Sequence, residues 1–228
     1  MTSAPPTVPA TPGRDSMREQ RSVVAGLAWA LGWTAGLVAI VVTALSAASA
    51  VKLAGVPDPG WITTYGLPAV TAIGEVAAAI AVGSAVFAAF FVPPQADGVL
   101  DVGGYRAIRL AASASLVWAV CAVLMIPLSI SNVSGQPLSE TLQPTNLLTA
   151  YSQVADARTW LWTAIFAVAA AALARVVLRW GWTVAVLAIT VLSLMPVALA
   201  GHSSTGGNHD LATNSLILHI VAASVWMG

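Results

Sequence analysis

Six stretches of this chain run for most or all of their length without a charged side chain: residues 23–50, 61–94, 110–130, 159–174, 180–200 and 211–228. A helix crosses the hydrocarbon of a bilayer with roughly 20 apolar residues. Inside lipid no water can satisfy the backbone, so a helix, which pairs its own N–H and C=O groups, is the form such a stretch takes. The expected fold is therefore an all-α, polytopic transmembrane bundle of about six helices. Composition removes the soluble alternative. Only 8% of residues are charged and 58% are hydrophobic, against about 25% charged in a soluble domain. Nine basic and nine acidic residues cancel, so a polyanion-binding surface is not expected and nucleic acid is excluded as a partner.

The individual stretches differ. Residues 61–94 contain one charge, Glu75. Residues 159–174 are short alone but extend past Arg175, whose long stem can snorkel to the interface. The first stretch follows Arg14, Arg18 and Arg21 and ends near Ala48-Ser49-Ala50, which imitates a leader-peptide cleavage site. Its apolar run is much longer than the 7–15 residues of a leader core, so a retained helix is expected. The sixth stretch reaches Gly228 with no polar flank. It is expected to be a truncated helix, and the chain a fragment of a longer membrane protein.

Arginine and lysine set the orientation. Arg14, Arg18, Arg21, Arg106, Arg109, Arg175 and Arg179 fall on one side of the expected bundle, and Lys52 and Arg158 on the other. The N-terminus is thus expected in the cytoplasm, with loops 51–65, 131–158 and 201–210 facing outward. Residues 1–22 form a Pro- and Thr-rich cytoplasmic tail expected to lack order, and residues 23–228 form the transmembrane domain. Within the long outward loop, residues 142–155 are expected as a short surface helix. Trp61, Trp160, Trp162, Trp180 and Trp182 fall near span ends, where indole rings anchor helices at the interface.

Chemistry concentrates late in the chain. All three histidines, His202, His209 and His219, lie within one short stretch. His202 and His209 belong to an outward loop, and Asp210 suits the N-cap of the sixth helix. His219 then lies roughly 13 Å down that helix, at 1.5 Å per residue. Glu75 reaches a similar depth on the second helix. Ionisable groups at such depth are costly and mark functional sites. Cys121 and, one turn on, Met125 share a face of the third helix, and Met195 lies near the outer end of the fifth. Imidazole with thioether or thiolate suits copper, above all Cu(I). An outer histidine pair, a methionine below and a deeper His, Glu or Cys would form an entry route for that ion. Each residue also has a plainer reading: loop histidines as polar surface, Met125, Met195 and Cys121 as packing, His219 as a hydrogen-bonding partner of Ser215. The lone Cys121 rules out an internal disulfide framework and a paired CxxC metal knuckle.

Residues 201–228 resemble the copper resistance protein D (CopD) family. Its members carry outward-facing histidines before a helix of pattern His-x-x-Ala-x-x-x-Trp-x-Gly, here His219-Ile220-Val221-Ala222-Ala223-Ser224-Val225-Trp226-Met227-Gly228. The alanine-rich character and Pro-Thr-rich tail look like an actinobacterial version, in which such a half is often fused to one resembling the oxidase copper-assembly factor CtaG. The resemblance implies copper handling at the inner (plasma) membrane, by uptake or by delivery towards a cuproprotein such as the terminal oxidase. It also implies a soluble extracytoplasmic CopC-like partner, terminal oxidase subunits as recipients, and His202, His209 and His219 as copper ligands. Glu75, Cys121, Met125 and Met195 rest on depth alone, as members of an intramembrane pathway. Two other functions stand beside this one: a metal-free scaffold for a respiratory complex, and a b-type haem carrier with His219 as one axial ligand. Catalysis is not expected, since no phosphate loop, nucleophile elbow or carboxylate pair is present.

Overall fold

The computed structural model describes residues 58–200, with Val41 and Ala222 besides. The N-terminal tail, nearly all of the first expected span and of the sixth, and the loop between the fifth and sixth lie outside the described residues. What is described is helical, and four of its helices are long and apolar enough to cross a membrane.

Helix α1 spans Trp61–Val86 and continues as a π-helical turn over Phe87–Phe91. Gly60 opens it at φ 87°, a left-handed backbone setting that glycine adopts without strain, and its amide donates to Asp58 Oδ1 at 2.9 Å. Pro93 and Pro94 follow the π turn and lack the amide needed to continue a helix. Helix α2, Val102–Ser134, starts on Asp101, whose carboxylate accepts from the Gly103 amide at 3.1 Å. It closes on Gly135 at φ 66°, whose amide reaches back to the Ser131 carbonyl. The helix begins well before residue 110, so Arg106 and Arg109 ride on its first turns and not in a loop. The strong cap at Asp101 places that start.

Two short helices, α3 (Leu138–Thr141) and α4 (Pro144–Gln153), form the long loop, with α4 inside the expected surface segment. Helix α5 runs Ala155–Val176 and includes Arg175, as expected. A 3-10 turn, Trp180–Trp182, leads into α6 (Thr183–Leu192) and, after a break at Ser193 and Leu194, α7 (Met195–Ala200). The fifth expected span is present as Trp180–Leu199, with a two-residue break inside it where Pro196 has no amide to offer the Leu192 carbonyl.

Helix α2 packs against α1 on one side and α5 on the other, while α6 lies against α1 and α5, closing a four-membered ring; α7 continues against α5. One core cluster draws on every member: Ala85 and Ala88, then Ala107, Ile108, Ala111 and Ala112, then Ala174, then Val186. Alanine dominates because, between helices in lipid, close approach of backbones supplies the packing that apolar transfer does not. At 1.5 Å per residue the 31-residue and 33-residue spans of α1 and α2 reach roughly 47 and 50 Å. They outrun the hydrocarbon of about 30 Å, so their ends project beyond it.

At one end of the ring, two loops are tied together. The Leu100 amide donates to the Leu178 carbonyl at 2.9 Å and the Trp180 amide to the Gly98 carbonyl at 3.0 Å. This end carries Arg106, Arg109, Arg175 and Arg179 with Asp97 and Asp101; the opposite end carries Asp58, Glu140, Asp156 and Arg158. Trp61, Trp162 and Trp182 are exposed, as anchors should be. Trp160 and Trp180 are not simple anchors: both are half-buried, Trp160 against the bundle around Trp118 and Trp180 against the alanine-rich core.

Candidate functional site: a sulfur-bearing seam between α1 and α2

The face of α2 turned to α1 carries Trp118, Cys121, Met125, Leu128 and Ser131, spaced by three or four residues, which aligns them in one row. Gly74 on α1 lies over the middle of this row. A β-carbon there would fall 2.6 Å from Trp118 Cζ3 and 3.2 Å from Cys121 Cβ, so only glycine lets the helices approach this closely. Cys121 is a free, buried thiol. Met125 is buried one turn further along, with its sulfur 3.6 Å from Thr71 Oγ1. The same hydroxyl lies 2.9 Å from the Leu67 carbonyl. The shorter contact, to the better acceptor, takes the single proton, and the thioether keeps its lone pairs.

Above Met125 the row ends in hydroxyls. Ser131 Oγ donates to the Gln136 carbonyl at 2.7 Å, so across their 2.7 Å contact Thr63 must donate to Ser131, each hydroxyl having one proton. Below Cys121 lies Trp118, its ring edge-on to Trp160 of α5 with centroids 5.8 Å apart and planes at 79°. Met195 and Trp160 pack against the cluster that holds Trp118 and Cys121. Three buried polar atoms of this region, Trp118 Nε1, Ser115 Oγ and Thr163 Oγ1, have no hydrogen-bond partner among the described residues.

The structure thus brings Cys121 and Met195 to one cluster and places Met125 on the same row as Cys121. It does not bring Glu75 to them. Glu75 is exposed among the described residues, between Ile73 and Val76, which are exposed too. His202, His209, His219 and Asp210 lie outside the described residues. Among the described residues no three His, Cys, Asp or Glu side chains gather at one point. Sequence reasoning passed over Gly74 and Trp118. A tryptophan in mid-span, away from the interfaces that indole prefers, was the available signal; the glycine opposite it carried none without the partner helix.

The family described as copper resistance protein D-like, N-terminal domain, matches residues 62–210, about two-thirds of the chain and all four described spans. This chain belongs to that CopD-like family. The match lies on the helical body and ends at Asp210, so it takes in His202 and His209 but stops short of His219. Uncharacterized proteins of Mycobacterium bovis and Mycobacterium tuberculosis are each 28% identical to it over 175 residues, and one of Mycobacterium leprae 26% over 174. The matched stretch covers 77% of this chain for the first two and 76% for the third, but 26% of each relative, so the chain spans about a quarter of the length of the curated relatives it matches. No solved structure matches. A CopD-like membrane domain points to a copper-related role.

Proposed function

We propose that this domain takes up copper at the extracytoplasmic face and either imports it or delivers it to cuproproteins such as the terminal oxidase. The observation that carries the reading is the alignment of Cys121 and Met125 on one buried row of a CopD-like bundle, with Met195 packed against the cluster that includes Cys121. Thiol and thioether sulfur suit Cu(I), which sheds water readily and prefers soft donors. In this reading His202 and His209 capture the ion outside, His219 receives it within the bundle, and the sulfur row lies along its path. Two further spans, contributed by residues 23–50 and 211–228, complete a six-helix bundle. The arginine-bearing end faces the cytoplasm, supported by four arginines there against one at the other end among the described residues.

The proposal extends to a CopC-like donor, to oxidase subunits as recipients, and to fusion with a CtaG-like half in the longer protein. That the relatives are covered over only 26% of their length leaves room for such a half. The domain catalyses no reaction of its own; it binds and passes on its cargo. The deciding experiment measures copper on detergent-purified full-length protein, loaded under reducing conditions and washed, beside a variant with His202, His209 and His219 all changed to alanine. Stoichiometric copper in the wild type and its loss in the variant is the expected result. Copper in neither, with near-stoichiometric co-purification of oxidase subunits by both, would overturn it in favour of a metal-free scaffold. A haem absorption band would overturn it in favour of an electron carrier.

A further inference from the structure

An open cleft of about 350 Å³ lies where α5 gives way to the 3-10 turn, lined by Leu173, Val176, Val177, Leu178, Arg179 and Trp182. Five of its walls are apolar and one is a cation. Val176, Leu178 and Trp182 are exposed, at 72%, 59% and 59%, so among the described residues this apolar surface is left open at the very end of a membrane span. The wall is held firmly: Val177 is buried in the core, and the backbone of Leu178 and Trp180 is bonded to that of Leu100 and Gly98. Among the described residues no carboxylate lies within ion-pair distance of Arg179. The carboxylates of Asp97 and Asp101 accept from the Val99 and Gly103 amides of their own turns.

We propose that this cleft is a binding site for an anionic phospholipid. Its phosphate is held by Arg179, the one cation in the cleft wall. The first segment of an acyl chain lies over Leu173 and Val176 against the Trp182 ring. Each part of the lipid meets its complement at the right level. A guanidinium matches a phosphate in fork geometry, an indole prefers the headgroup boundary, and the apolar wall continues below them into the hydrocarbon. A soluble peptide or a second protein helix would leave Arg179 unanswered unless it brought its own carboxylate. The inference is independent of the copper reading.

The test uses the full chain, purified in mild detergent with native lipid removed. It is offered phosphatidylglycerol or phosphatidylcholine of identical acyl chains, and native mass spectrometry counts the lipid retained. The expected result is retention of phosphatidylglycerol over phosphatidylcholine by the wild type, weakened roughly fivefold in Arg179→Gln, since one basic residue near a lipid surface contributes about that factor. Arg179→Lys should keep most of the preference, and Arg158→Gln, at the other end, all of it. Equal retention of the two lipids by the wild type would overturn the proposal, and so would equal loss in Arg179→Gln and Arg158→Gln. Should Arg179→Gln fail to fold, the wild-type lipid preference and the Arg179→Lys and Arg158→Gln variants decide the matter.

Discussion

Gly74 of α1 sits directly on the indole of Trp118 of α2, so close that a single added methyl group would fall 2.6 Å from the ring. The helix pair is packed to backbone contact at this level, and the sulfur row beside it depends on that packing. Gly74→Ala is expected to destabilise the protein by about 1–3 kcal/mol, the usual cost of overfilling a packed site. Gly66→Ala, where the nearest atom is Leu128 Cδ2 at an ordinary 3.7 Å, should cost much less. Thermal unfolding in detergent compares the two. A double-mutant cycle with Trp118→Phe should show strong coupling to Gly74 and none to Gly66.

The Thr63–Ser131–Gln136 relay is directional, and its two ends should respond differently to truncation. Thr63→Ala leaves Ser131 still donating to the Gln136 carbonyl, so a loss near 0.5–1 kcal/mol is expected. Ser131→Ala strands the buried Thr63 hydroxyl and removes the tie to Gln136, with an expected cost of about 1–3 kcal/mol. Equal shifts in melting temperature would mean that the relay carries no direction.

Met125→Leu keeps volume and apolar character, so stability should change by less than about 1.5 kcal/mol, while a soft ligand is lost. Cys121→Ser removes the other. Both variants are expected to fold and to retain less Cu(I) than the wild type, and X-ray absorption at the copper edge should lose sulfur scattering in them. Unchanged copper content and unchanged scattering would assign both residues to packing alone.

Loss of function along the histidines is expected to be graded. His219→Ala should abolish copper-dependent growth or oxidase activity more completely than His202→Ala, because a deep receiving ligand has no substitute while an outer capture pair has two members. Equal and negligible effects would remove copper transfer from the account.

Asp101→Ala removes the cap on α2, whose carboxylate now accepts from the Gly103 amide at 3.1 Å. About 1 kcal/mol of stability should be lost. The loss should be accompanied by faster amide exchange at Leu100, whose bond to Leu178 ties the two loops at this end.

Much of the architecture was legible because lipid makes hydropathy nearly decisive. Stretches 61–94, 110–130, 159–174 and 180–200 each correspond to an observed span, the extension through Arg175 included. What escaped were local matters of backbone accounting: the Asp101 cap that starts α2 early, and the missing Pro196 amide that divides the last span. The common face of Cys121 and Met125 followed from spacing. Glu75 shows the limit of that method, since its place along the helix was readable but its exposed azimuth among the described residues was not.

The sequence by itself determined that this chain lives in a bilayer as helices, because long uncharged runs leave the backbone no other way to satisfy its hydrogen bonds there. It also gives each residue's place along its helix, because rise per residue is fixed. Only the tertiary structure decided which faces meet. Gly74 is unremarked until Trp118 fills the space above it, and Cys121 joins one buried cluster with Ala77, Ala167 and Leu194, far apart in the chain, only when the helices close their ring. In an alanine-rich bundle every face is apolar, so periodicity carries no direction. The choice of partner falls to the shape of a few side chains.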